Sequence, residues 1–266
     1  MNWLQLLPFV YGFRTRVRTL AYKISFLVVT VLPSFYFILV TRQVNTEKLL
    51  GYLIALISMY SLYEIGYIYN DIYTTSFEKK PTMRSSIEEM TFLKRAYPIL
   101  IMSRVVVITF SVIYFKNYDR FISWLLLLLL LYIAYIFHNF TRSTITAFTM
   151  FTIVALKYII PSFLFVEELE WYLYLGFILA VVPFARFVEY GSKPYCGLFN
   201  VKNFHKFRII YYLVLTILSL LLLLFDIPTL PYIPLILIFL FYRGVIYIVE
   251  KKSGGAIHKK EVGYNG

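Results

Sequence analysis

The chain has a single cysteine, Cys196, which excludes an internal disulfide framework and leaves no thiolate set for zinc. It lacks the alternating segments of about ten residues that an outer-membrane barrel requires. Its opening stretch, MNWLQLLPFVYGFRTRVR, carries its charges after the apolar part and shows no small-residue cleavage site. It therefore reads as an interfacial amphipathic segment and not as a cleaved signal peptide. No internal repeat is evident, and charged residues make up only 15% of the chain. What is abundant is apolar surface: 60% hydrophobic and 20% aromatic residues, with a mean hydropathy of +0.73. A soluble domain of 266 residues with this composition would have a greasy exterior. Several runs are instead long enough to cross a hydrocarbon core of about 30 Å.

Eight such runs are placed, at about Lys23 to Val40, Leu49 to Tyr69, Ala96 to Phe115, Phe121 to Phe137, Thr144 to Val166, Trp171 to Val188, Phe207 to Phe225 and Pro231 to Val249. The leucine block Leu125 to Leu131 reads as lipid-facing filler. The expected architecture is an all-α polytopic membrane bundle forming one integral-membrane domain over residues 1–266, with residues 1–22 interfacial and 250–266 a basic tail.

The net charge of +12 is read first as topology and as contact with anionic lipid. Nineteen of the 26 Lys and Arg fall in the N-terminal segment, the even-numbered connections and the tail, and four fall on the opposite side. The positive-inside rule thus predicts cytoplasmic termini and cytoplasmic long loops. The remaining three, Arg104, Lys157 and Arg243, lie within spans, as does Glu64. Ionisable groups at that depth mark functional sites by default, although those near a helix end can snorkel. Arg104 is a candidate partner of Glu64, Arg243 is open to either reading, and Lys157 lies mid-span and favours function.

Four polar clusters gather at the ends of spans. The first runs through YEIGYIYNDIYTTSFEKKPTMR, residues 63–84. There Asp71, Thr74, Thr75 and Glu78 share one face if the helix continues, joined by Asn70, Lys80 and Arg84. The second is His138, Asn139 and Arg142, with Lys157 along the next span. The third is Arg186, Glu189, Tyr190 and Lys193, and the fourth Arg16, Arg18 and Lys23. Carboxylate and amide oxygens suit Mg²⁺ shared with substrate phosphates, and the surrounding cations suit the phosphates themselves. Lys94, Arg95, Lys202 and Lys206 read as ordinary solvated loop charges.

The Asn70-Asp71 pair, with Glu78 seven residues after Asp71 and Pro81 and Arg84 beyond, resembles the first motif of the UbiA superfamily of intramembrane transferases. That motif is usually Asn-Asp-x-x-Asp-x-x-x-Asp, followed by Arg or Lys and Pro. The second family motif belongs between spans six and seven, where RFVEYGSKPY stands. The resemblance implies a helical bundle around a central cavity open to the cytoplasmic side. Family members commonly have nine spans, so a ninth is either missing or hidden in the N-terminal segment.

Thr74 replaces the middle Asp of the first motif, Glu78 replaces the last, and the second motif keeps only Glu189. These departures weaken the two-metal clamp that the superfamily's prenyltransferases use. What remains resembles the decaprenyl-phosphate phosphoribosyltransferase branch, with Phe137 to Arg142 and Lys157 in comparable places. That branch implies Mg²⁺-dependent transfer of a 5-phosphoribosyl group from phosphoribosyl diphosphate to a polyprenyl phosphate, a precursor step for surface polysaccharide, in the plasma (bacterial inner) membrane. By the resemblance, Asp71, Glu78 and Asn70 would serve the metal. Lys80, Arg84, Arg186 and Lys193 would hold donor phosphates, with Thr74, Glu189 and Tyr190 beside them. Arg142 and Lys157 would meet the 5-phosphate or the lipid phosphate, and Arg18 and Lys23 would complete the site from the N-terminal segment. Two alternatives stand beside this: a prenyltransferase acting on an aromatic or other small acceptor, and a non-catalytic transporter or scaffold.

Overall fold

A computed structural model of the chain describes residues 4, 7–17, 20–40, 44–74, 87–141, 143–166 and 171–252. Among them there is no strand, and eight helices are long and apolar enough to cross a membrane. These are Tyr22–Val40, Thr46–Ile72, Glu88–Phe115, Phe121–Phe140, Ile145–Phe165, Tyr172–Gly191, Phe204–Leu224 and Leu230–Lys252. They coincide with the eight expected spans to within several residues at the ends. The protein is an all-α polytopic membrane bundle.

A short helix, α1 (Val10–Arg16), precedes the first span, and at seven residues it is too short to be a ninth. The first span is built from α2 (Leu20–Phe26), a π-helical segment (Leu27–Val31) and α3 (Leu32–Val40). A π segment inserts an extra residue and frees backbone carbonyls. Here they find partners: the Val31 carbonyl accepts from Ser34 Oγ at 3.2 Å and Tyr52 Oη at 3.3 Å, and the Val29 carbonyl accepts from Tyr158 Oη.

Helix α4 (Thr46–Ile72) is the pillar of the bundle. Asn45 caps it, its side chain accepting from the Lys48 N–H at 2.8 Å. It packs on α1, α5 (Ile87–Phe115), α6 (Phe121–Phe140) and α7 (Ile145–Ser162). Between apolar helices in lipid, association rests on close packing and polar contacts and not on a hydrophobic drive. Gly66 supplies the closest packing: a Cβ there would lie 2.4 Å from the Tyr135 ring. The leucine block on α6 is only partly filler. Leu126, Leu129 and Leu130 face outward, but Leu128 and Leu131 are buried in the cluster that includes Tyr52, Met59 and Trp124. The helical period of 3.6 divides a uniform leucine run between lipid and core.

Helix α4 ends at Ile72. The Tyr73 N–H bonds back to the Tyr69 carbonyl at 2.9 Å, and Thr74 sits in a 3₁₀ turn. Of the face expected to run from Asp71 through Thr74 and Thr75 to Glu78, Thr74 thus already lies past the end of the α-helix. Thr75 and Glu78 lie outside the described residues.

The sixth span is broken into α8 (Trp171–Val181) and α9 (Pro183–Gly191). Proline has no N–H to give to the preceding turn, so the last carbonyls of α8 need other donors. Tyr211 and Tyr212 of α10 (Phe204–Leu224) provide them. Tyr212 Oη reaches the Val181 carbonyl at 2.7 Å, and Tyr211 Oη reaches that of Ala180. Helix α10 pairs with α11 (Ile233–Lys252) and touches α9, while its outer leucines face away from the bundle.

Candidate functional site

The bundle encloses a cavity of about 420 Å³ walled by α1, the first span, α4, α6, α7 and α9. The volume lies within the usual range for small-molecule sites. Its walls are aromatic, with Tyr60, Tyr63 and Tyr67 from α4, Tyr135 from α6 and Tyr158 from α7. Tyr63 meets Tyr67 and Tyr135 edge-to-face at ring separations of 4.8 and 4.9 Å, the arrangement that the ring quadrupoles favour.

Among the described residues, three cations face this cavity: Arg16, Lys157 and Arg186. The Lys157 ammonium donates to Thr30 Oγ1 at 3.0 Å, where the π segment of the first span presents that hydroxyl. It also stands 5.4 Å from the Tyr63 ring centre and 5.8 Å from that of Tyr158. No carboxylate of the described residues lies within ion-pair distance of it. Arg186 comes from α9 and gives one N–H to Glu189 at 2.8 Å. Tyr190 lines the same wall, and Lys193 lies 3.7 Å over its ring. His138 and Asn139 border the cavity from α6, with His138 Nδ1 3.0 Å from Thr149 Oγ1.

The carboxylate on the wall, Glu64, is already neutralised. Its Oε2 accepts from Arg104 at 2.9 Å and its Oε1 from the Gly12 N–H at 2.8 Å. Both side chains are almost completely buried, and Arg104 also reaches the Leu7 carbonyl at 3.2 Å. The expected Glu64–Arg104 partnership is thus present, and it ties the chain around α1 to α4 and α5.

Asp71 is committed elsewhere. Arg16 grips it with two hydrogen bonds of 2.9 and 3.0 Å, and Tyr11 Oη donates at 2.7 Å. The Arg16 guanidinium lies 3.6 Å over the Tyr67 ring. Burial first, and then the Asp71 carboxylate, push the Tyr11 phenol well above its ordinary pKa. Burial works against the charge of Arg16, but Tyr67 and Asp71 outweigh it and hold the guanidinium more firmly protonated than usual. Asn70 lines the cavity, and its side-chain oxygen accepts from Thr74 Oγ1 at 2.7 Å.

The fit to a resident Mg²⁺ follows from these bonds. Asp71 is half of an ion pair and not an open ligand, and Asn70 shares its oxygen with Thr74. Among the described residues there is no group of three or more His, Cys, Asp or Glu able to hold a metal. As described, these donors do not fit the ion. Of the other expected residues, Lys157, Arg186, Tyr190 and Asn70 converge on the cavity, with Glu189 behind Arg186 and Lys193 stacked on Tyr190. Lys23 is exposed and does not line it. Arg18, Glu78, Lys80, Arg84 and Arg142 lie outside the described residues.

Sequence reasoning passed over the aromatic wall, although Tyr60, Tyr63 and Tyr67 repeat at helical spacing and signal one shared face. It also passed over Tyr11 and Thr30, for which no motif speaks. Compared with models of known protein families, with curated proteins and with solved structures, the chain matches none.

Proposed function

We propose that the chain is a membrane-embedded transferase that moves a 5-phosphoribosyl group from phosphoribosyl diphosphate to a polyprenyl phosphate, with its site on the cytoplasmic side of the plasma membrane. The observation that supports this reading is the cavity in which Arg16, Lys157 and Arg186 face aromatic walls while Glu64 is neutralised by Arg104. Such a cavity suits substrates that carry several phosphates and enter partly through lipid. Kinship with the UbiA superfamily belongs to the same proposal and rests on the Asn70-Asp71 motif and the layout of the spans.

In the transfer, a phosphate oxygen of the lipid gives an electron pair to C1 of the ribose. The bond from C1 to the diphosphate breaks, and that pair leaves with the diphosphate. The attacking phosphate is already ionised, so no general base is needed. Lys157 and Arg186 hold phosphate oxygens, lowering the barrier by countering charge where it accumulates. The tyrosine walls exclude water, which would otherwise compete as acceptor. Mg²⁺ carried on the donor as part of the substrate would supply further neutralisation of the leaving diphosphate, with no ligand assigned to it from this chain.

The test is incubation of the purified protein in nanodiscs with Mg²⁺, labelled phosphoribosyl diphosphate and undecaprenyl phosphate. Lipid-soluble label is expected, and none would overturn the reading. Lys157→Met should lower the rate about 10²-fold, measured by the same assay, with the thermal midpoint held or raised because a half-buried ammonium without a counter-ion among the described residues is removed.

The aromatic walls favour one second reading, prenyl transfer, because ring faces attract a developing allylic cation. Turnover of farnesyl diphosphate with an aromatic acceptor, and none of the phosphoribosyl donor, would select it.

A further inference from the structure

Around the main cavity the described charges stand in a fixed order, with cations in front and carboxylates behind. Arg16 lines the cavity, whereas the buried Asp71 that holds it does not. The same order recurs on α9: Arg186 lines the cavity, and Glu189, which it shares with Arg208, lies behind it. Glu64 is the one acid among the described lining residues, and Arg104 and the Gly12 N–H already occupy its two oxygens. Lys157 has a hydroxyl and ring faces as its partners.

Arg16 is held as firmly as a bound ion. Tyr67 covers its guanidinium at 3.6 Å, and Asp71 and Thr15 accept from its two terminal nitrogens. A guanidinium carries five N–H donors, more than these bonds use, and its planar fork matches phosphate oxygens. A metal site would offer carboxylate oxygens to the cavity; at Asp71 this wall offers an arginine instead. Arg186 is also within electrostatic reach of Lys157. An anion between the two relieves their repulsion.

We propose that this cavity binds a phosphate group without a metal ion, Arg16 taking the place at Asp71 that a divalent cation would fill, with Lys157 and Arg186 as the other two cations. Soluble diphosphates and lipid phosphates share that chemistry. Metal-free binding deepens the transferase reading, since it names what holds phosphate in the same cavity, yet it does not depend on transfer taking place. A metal carried on the donor would serve the leaving group and not the binding.

Titrations of the purified protein in phosphatidylcholine nanodiscs test this, in divalent-free buffer and again with Mg²⁺. One arm adds inorganic pyrophosphate, and the other incorporates undecaprenyl phosphate into the nanodisc. A ligand that binds the folded state raises the thermal midpoint. A rise of several degrees without divalent ions is expected in the arm that holds the true source. Arg16→Gln/Asp71→Asn replaces the ion pair by a neutral pair of similar shape, so neither charge is stranded. It should raise the half-saturating concentration at least about tenfold. Lys157→Met should do the same while keeping its ligand-free midpoint. A rise seen only with Mg²⁺ overturns the proposal, as does no rise in either arm or an unchanged titration in either variant. A metal-free rise in a protein that shows no phosphoribosyl transfer would overturn the transferase reading and leave this one standing.

Discussion

At the scale of single residues, two buried ion pairs behave differently although each joins one Arg to one carboxylate. Glu64 and Arg104 are sealed from solvent and hold each other within the span region. Removing one partner strands the other's charge, so Arg104→Met is expected to cost about 3–5 kcal/mol. Glu64→Gln/Arg104→Met should recover most of that loss, as read from thermal midpoints of the three variants. Arg16 and Asp71 instead meet at the cavity edge, beneath Tyr11. Tyr11 holds its proton more tightly in the folded chain than in the unfolded one. It therefore favours the fold fully below pH 10, its ordinary ionisation point, and stability falls as pH rises beyond it. Tyr11→Phe should remove up to about 1.4 kcal/mol of that loss per pH unit, seen as a flatter alkaline limb in midpoint against pH. The first pair was legible in the sequence because two opposite charges in apolar runs need each other. The second was not: a cation 55 positions from Asp71, in a seven-residue helix, carries no periodicity that says where it docks.

At the scale of elements, hydropathy alone placed the eight spans, since twenty apolar residues have few alternatives to crossing a bilayer. Departures from the regular helix were harder to read. Pro183 signals the break between α8 and α9, which turns Arg186, Glu189 and Tyr190 onto a separate short helix. No residue type announces the π segment Leu27–Val31, yet it is what points Thr30 at Lys157. Deleting Val28 should restore the α register and rotate Thr30 by about 100°. The chain should keep or gain thermal stability while the proposed phosphoribosyl transfer drops about tenfold, since a misplaced ammonium costs rate more than fold. A fully active deletion variant would show that the bulge serves no purpose at the site.

Across the whole molecule, the eight candidate spans among the described residues, together with the distribution of Lys and Arg, lead us to expect the outer ends of the first and last spans on one side. In a Cys196→Ser background, cysteines at Thr46 and Lys251, both exposed, should react with an impermeant maleimide from opposite faces. Lys251→Cys should be reached only from the cytoplasm; its labelling from outside would reverse the assignment, and labelling of both from one face would refute the span count between them. The Glu64–Arg104 bond also bears on how the chain is made. Each of these charges, entering hydrocarbon alone, costs a nascent helix about 3 kcal/mol at insertion. Helices α4 and α5 are consecutive and pack directly on one another. They are thus suited to leave the translocon as a hairpin, each strand of it carrying the counter-ion the other needs to stay in the lipid.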